Sequence, residues 1–306
     1  MVAMVTAGGT ASAAVLTSGQ VFPNPPDARR LLVGFNSTGA LTVNGGSMLA
    51  TSSGEMGAVR GGTGTATITG SGSKWTTTDN LFVGNAGLGF LTIENGGAAS
   101  SQRGFVGSAP GSSGVVTVGG RNSNWTVRQD IIAGSDGQAF MTVKNGGTVN
   151  ASSFFLASRA GSLGQMTFGI GDDGSGAIAA GTVNVGGAFR IISGVALFDL
   201  TVDDGVVLDV GDMFTLIDYG SSFAGSFSIF NDDFSISTLA DGDLFTTGIH
   251  TFEIDYDKLI GTNDRAFAVT VVSVEGSGSD VPGPAMPLLL AFGLTALAAA
   301  RRRLAA

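Results

Sequence analysis

The chain has 306 residues, 50 of them Gly, with 43% apolar and 13% charged residues, no Cys and a formal net charge of −9. Gly is about twice its usual share and charge about half, whereas a disordered chain would be more charged and less apolar. The acidic balance excludes a basic nucleic-acid-binding face, and the missing Cys excludes disulfides and thiolate metal sites.

Abundant Gly among β-branched and small polar residues predicts many short strands joined by tight turns, and therefore an all-β chain. At the N-terminus, residues 1–16 are small and apolar, and Ala11-Ser12-Ala13 fits a signal-peptidase site. No Lys or Arg precedes Arg29, so the basic start of a signal is missing. The expectation is a truncated signal peptide whose gene start lies upstream, with residues 17–30 as an N-terminal cap or linker.

Residues 31–184 repeat. Leu31-Leu32-Val33-Gly34 returns as Leu81-Phe82-Val83-Gly84 and as Ile131-Ile132-Ala133-Gly134, an offset of 50 both times. Leu41, Leu91 and Met141 each open a Thr-Val or Thr-Ile strand. Asn95-Gly96-Gly97 matches Asn145-Gly146-Gly147, and Asn44-Gly45-Gly46 reads as the same turn one residue earlier. Trp75 and Trp125 also align, while Ser175 stands where a third Trp is due. A half-repeat sits inside each unit: Phe82-Val83-Gly84 leads to Phe105-Val106-Gly107 after 23 residues, leaving 27 to complete the unit.

Coils of that length predict a single-stranded β-solenoid, or parallel β-helix, of about six coils, roughly 25–30 Å tall at about 4.8 Å per strand. Alternating apolar residues give each coil one inward face, which only stacked neighbours can bury. Asn-Gly and Gly-Gly supply tight corners. Residues 185–275 are richer in Phe and contain both Tyr; His250-Thr251-Phe252-Glu253-Ile254-Asp255-Tyr256 and Phe267-Ala268-Val269-Thr270-Val271 alternate. This stretch is expected to be an aromatic β-cap, with His250 on the polar side of its strand.

Residues 276–280 form a flexible Gly-Ser spacer. Val281-Pro282-Gly283-Pro284-Ala285 follows, then an apolar run over 286–300, then Arg301-Arg302-Arg303. The run predicts one short C-terminal hydrophobic helix of roughly 22 Å, marginal for a hydrocarbon core of about 30 Å. The arginines would hold the C-terminus on the cytoplasmic side as a membrane stop.

This three-part tail resembles the PEP-CTERM family of sorting signals, closest to the variant reading Val-Pro-Leu-Pro-Ala, with Gly283 in place of the Leu. The resemblance implies an exosortase partner that recognises Val281, Pro282, Gly283, Pro284 and Ala285 and cleaves near the prolines. It also implies an exported bacterial protein that passes through an inner-membrane intermediate to the cell surface or beyond. The 50-residue unit, carried by Leu-Phe-Val-Gly, Leu-Thr-Ile-Glu-Asn-Gly-Gly and Gly-Ser-Gly-Ser-Lys-Trp, resembles the repeat shared by PEP-CTERM proteins and autotransporter passengers over roughly residues 31–170.

Catalytic candidates are sparse. Asp172-Asp173, Asp203-Asp204 and Asp232-Asp233 could serve a polysaccharide lyase or hydrolase, but each sits beside Gly or Asn, where Asp builds turns, and none recurs at the repeat period. Gly169-Ile170-Gly171-Asp172 is similar to one degenerate calcium-binding nonapeptide, which makes Asp172 and Asp173 a weak calcium candidate. His250, the single His, is poor material for a metal site. No Gly-x-Ser-x-Gly elbow occurs. Trp75 and Trp125 could stack on sugar rings, against the plainer reading of core packing. The expected function is a non-enzymatic surface or matrix protein without cofactor, touching extracellular polysaccharide; the rival is a carbohydrate-binding adhesin.

Overall fold

The computed structural model describes residues 13–230, 235–260 and 264–275. Among them every regular element is a strand, and the chain winds as a parallel β-solenoid of about six turns. Three sheets form the faces. The first stacks Thr38–Asn44, Thr63–Thr69, Leu88–Glu94, Ser113–Gly119, Gln138–Lys144, Leu163–Asp172 and Val195–Val202. The second runs from Met48–Thr51 through Lys74–Thr77, Ala98–Ser101, Asn124–Val127, Thr148–Ala151 and Thr182–Val185 to Met213–Tyr219. The third stacks Leu31–Val33, Gly54–Met56, Asn80–Val83, Arg103–Val106, Asp130–Ala133, Ser153–Leu156, Ala188–Ile191 and Ser222–Ala224.

Register explains the fifty-residue unit. On the first face Thr38, Thr63, Leu88, Ser113, Gln138 and Leu163 share one column, an interval of 25 residues each time. On the third, Leu31, Gly54, Leu81, Gly104, Ile131 and Phe154 share a column at intervals alternating between 23 and 27. The half-repeats of 23 and 27 residues therefore belong to the third face, and longer and shorter corners compensate to keep the first face even. The corner after the first face needs left-handed backbone: Asn95 and Gly96 have φ of 55° and 80°, Asn145 and Gly146 52° and 77°, and Gly45 and Gly46 61° and 83°. The turn at Gly45-Gly46 thus lies in step with the others, Gly45 replacing Asn, rather than one residue early.

The unit spans two coils because its large side chains need small neighbours. Trp75 and Trp125 point inward from the second face and are 1% and 0% exposed; Ala99 occupies the rung between them. A Cβ on Gly54 would lie 2.4 Å from Trp75 Cζ2, and one on Gly104 2.6 Å from Trp125 Cζ2. Each indole therefore fills the space left by a missing side chain one coil earlier, as close packing requires. Where the third Trp fails, the third Gly fails with it: the position 50 residues after Gly104 is Phe154, buried and stacked on Phe189 at 4.9 Å. Phe189 in turn stacks on Phe223 at 5.0 Å. An aromatic ladder takes over from the Gly–Trp pairs. The pairs differ in one polar detail. Trp75 Nε1 donates to Thr51 Oγ1 at 3.0 Å, whereas Trp125 Nε1 and Ser101 Oγ, their counterparts, lack partners among the described residues.

The coil pattern runs past residue 184, since Val195–Val202, Met213–Tyr219 and Ser222–Ala224 each extend a face in parallel register. Beyond them the pairing turns antiparallel, as it already does where Ile178–Ala180 folds back on Leu163–Asp172. Asp264–Val274 pairs with Met213–Tyr219, His250–Ile260 with Asp264–Val274, and Leu244–Thr247 with His250–Ile260. Beneath them Phe198, Phe227 and Phe267 pack with centroids 5.3–5.8 Å apart. At the other end Ala14–Gly19 pairs antiparallel with Thr38–Asn44, and Val21–Phe22 with Leu31–Val33. Leu16 is thus part of a folded strand, so a signal segment extending to residue 16 would cut into the sheet. The expected C-terminal helix lies outside the described residues.

Gly104→Ala is expected to destabilise the solenoid by about 1–3 kcal/mol through overpacking, and Trp125→Ala by about 3–5 kcal/mol through the cavity it opens. Combining Gly104→Ala with Trp125→Ala should cost less than the two single changes added together; urea unfolding of the parent, both singles and the double measures this.

Candidate functional site

Alternation along each rung sends every second side chain outward, and register aligns these into columns. The first face carries Thr42, Thr67, Thr92, Thr117, Thr142 and Thr167 in one column, which Asp199 continues. Burial is the main influence on the Asp199 carboxyl and pushes its pKa above the usual carboxylate range, opposed by hydrogen bonds from Leu200 N–H and Thr167 Oγ1. A neighbouring outward column of the first face carries Phe90, Val115 and Phe140, and the third face carries a longer apolar run. Leu32, Glu55, Phe82, Phe105, Ile132, Phe155 and Arg190 follow one another from rung to rung. Phe82 and Phe105 stack at 4.7 Å with planes 13° apart, and both remain half-buried.

Two open clefts interrupt this regular surface. One, of about 480 Å³, lies at the corner between the first two faces and is lined by Glu94, Asn95, Arg121, Lys144, Asp172 and Asp173 among others. Asp172 Oδ1 accepts from Gly174 N at 2.7 Å and Gly176 N at 2.9 Å, and Asp173 Oδ1 accepts from Ser175 N and Oγ at 2.8 and 2.6 Å. The Ser175 hydrogen bonds are the main cause that lowers the Asp173 pKa. Both carboxylates therefore close the loop they sit in. Among the described residues no three His, Cys, Asp or Glu side chains converge as metal ligands.

The second cleft, of about 710 Å³, opens where the last coil meets the antiparallel strands and is lined by Tyr219, Phe223, Asp241, Tyr256, Asp257 and Arg265 among others. Tyr219 Oη donates to the Tyr256 carbonyl at 2.7 Å and sits 2.9 Å from Asp257 Oδ1. Arg265 pairs with that same Asp257. Tyr256 Oη donates to the Leu239 carbonyl at 2.9 Å and accepts from Phe227 N at 3.0 Å. Burial first, then Asp257, pushes the Tyr219 hydroxyl well above its ordinary range, and burial raises Tyr256 to about 12. Both hydroxyls stay protonated and fasten the last coil to the strands beyond it.

The sequence-based candidates fall as follows. Trp75 and Trp125 are sealed in the core, so neither ring can meet a sugar; the proposed stacking is corrected by burial. His250 is also corrected: it is 3% exposed and shares the buried side of its strand with Phe252 and Ile254. Burial lowers its pKa, and its Nε2 has no hydrogen-bond partner among the described residues. Val281, Pro282, Gly283, Pro284, Ala285, Arg301, Arg302 and Arg303 lie outside the described residues, as do Asp232 and Asp233. The outward Phe column went unrecognised, because Leu-Phe-Val-Gly is apolar at both parities and does not announce which residue faces water. The chain matches no protein-family model and no curated protein sequence.

Two substitutions test these environments. Because the fold prefers Asp199 protonated, its charge opposes folding at neutral pH; Asp199→Thr should raise unfolding stability by about 1 kcal/mol at pH 7, and the gain should shrink as pH falls towards 4. His250 is held neutral below its ordinary pKa, so the unfolded chain takes up the proton first and stability should fall as pH drops below about 6.5. Amide exchange across His250–Ile260 should accelerate between pH 7 and 5, after correction for intrinsic exchange, and His250→Phe should flatten that dependence.

Proposed function

We propose that this chain is a non-enzymatic structural protein of the bacterial surface or extracellular matrix, exported and processed by an exosortase. In this reading the solenoid supplies an extended, protease-resistant body, with the antiparallel strands over 244–274 as its cap, lying within extracellular polysaccharide. Val281-Pro282-Gly283-Pro284-Ala285 is the sorting motif. The apolar run over 286–300 is a transient membrane anchor, and Arg301, Arg302 and Arg303 keep the C-terminus in the cytoplasm until cleavage. No cofactor is required.

The observation that carries the reading is the joining of a three-part sorting tail to a continuous parallel ladder. Such a ladder stabilises an exported chain without disulfides, since every rung is hydrogen-bonded above and below. Burial of Trp75 and Trp125 removes stacking as a motive for the adhesin reading and leaves it only the polar Ser, Thr and Asn surface. The carboxylates of Asp172 and Asp173, held in turn hydrogen bonds, give a lyase reading no support.

Mass spectrometry of the C-terminus tests this. In an exosortase-positive strain the secreted form is expected to end near Pro282–Ala285 and to lack the arginines. Processing that continues unchanged after exosortase deletion would defeat the proposal. Alanine replacement of Pro282 and Pro284 should leave the uncleaved chain in the membrane fraction.

A further inference from the structure

The outward column of the third face has a symmetry of its own. Over six successive rungs it reads Glu55, Phe82, Phe105, Ile132, Phe155, Arg190. An acid stands at one end, a base at the other, and four apolar residues between. The neighbouring outward column adds Asn80, Arg103, Asp130 and Ser153 on the four middle rungs. The first face also carries outward apolar side chains, Phe90, Val115 and Phe140 on three rungs, so the third face is set apart by a longer apolar run of four rungs with opposite charges beside it.

We propose that the third face is a self-association surface, on which a second copy of this chain packs face to face with its solenoid axis reversed. The two-fold axis would lie in the interface, parallel to the strands, level between Phe105 and Ile132. Reversing the rung order then sets Phe105 against Ile132 of the other copy and Phe82 against Phe155. It also sets Arg103 against Asp130 and Arg190 against Glu55, so that each charge meets its opposite twice. A copy with its axis in the same direction has its strands reversed, so with the apolar columns aligned Arg103 and Asp130 fall on opposite sides of the stripe and meet no opposite charge. Charge therefore selects the reversed arrangement.

The side chains involved retain the capacity to do this. Arg103 and Asp130 touch within one chain at only 3.8 Å, with side chains 49% and 32% exposed. Arg190 is exposed. Glu55 is buried and already held by Arg30 at 2.6 Å and Asn85 at 3.1 Å, so it contributes less than the central pair. Stacking of Phe82 on Phe105 uses the ring faces against each other and leaves their edges outward. Ring edges interdigitate with apolar side chains of a facing sheet about 10 Å away, but they offer no flat platform to a sugar.

Size sets the strength. Six rungs of four residues cover about 24 by 13 Å, roughly 300 Å² on each copy, well below the about 800 Å² per partner of a standard stable interface. The association is therefore weak and concentration-dependent in solution, and is strengthened wherever copies are held side by side. The net charge of −9 opposes it, but beyond about 8 Å that repulsion is screened at 0.15 M salt.

Because the full chain has no Cys, single cysteines report the register directly. Chains carrying Phe82→Cys and Phe155→Cys, mixed at 0.15 M salt under mild oxidation, are expected to form a disulfide-linked dimer joining the two positions. Either chain alone should form about tenfold less. Adding Ile132→Asp to the Phe82→Cys chain should suppress the mixed product while circular dichroism shows an intact β fold. Equal cross-linking of Phe82→Cys with itself and with Phe155→Cys would overturn the reversed register, including the case where residues 276–306 alone bring copies together. Absence of the mixed product at any concentration would overturn self-association through this face.

Discussion

Everything in this molecule follows from the parallel backbone ladder. Hydrogen bonds between successive rungs fix one residue above another at a constant spacing, so a side chain cannot escape its column. Inward columns must therefore fill the core jointly. Trp75 beside Gly54, and Trp125 beside Gly104, satisfy that demand in alternate coils. Where Phe154 replaces the expected glycine, the tryptophan is lost as well, and Phe189 and Phe223 continue the column. The two-coil repeat is a volume rule written into sequence: a bulky residue in one rung is permitted by a vacancy in the rung before it.

The same ladder creates a problem at its ends, where unpaired strand edges invite further pairing. The chain answers by changing strand direction. Ala14–Gly19 and Val21–Phe22 run antiparallel across one end of the first and third faces. At the other end a three-strand antiparallel extension follows Met213–Tyr219, and the Tyr219 and Tyr256 hydroxyls tie it to the last coil. His250, buried and with no partner for Nε2 among the described residues, lies in this extension, and burial lowers its pKa.

The outward columns give the three faces different characters from one repeated unit. Six threonines in line give the first face a hydroxyl column, ended by Asp199 in a half-buried setting that disfavours its charge, beside an outward column carrying Phe90, Val115 and Phe140. The third face instead presents Phe82, Phe105, Ile132 and Phe155, with charges of opposite sign at either end. Outward apolar runs of this kind suit lateral contact, in keeping with the surface or matrix role proposed for the chain.

Much of the architecture was legible in the order of amino acids. The offset of 50, the half-repeat of 23 and 27, the Asn-Gly corners and the alternation of Leu-Thr-Ile all specify coils that can be buried only by stacking, and about six of them. Those features are local or periodic, and backbone geometry turns them into a solenoid with little choice. What the sequence left open was orientation. In Leu81-Phe82-Val83 both parities are apolar, and a four-residue strand is too short for alternation to say which side faces water. Trp75, Trp125 and His250 could likewise be core or surface until their neighbours were placed. Only the tertiary register decided, because a side chain's direction is set by the corner before it, and its room by a residue some twenty positions away in the adjacent coil.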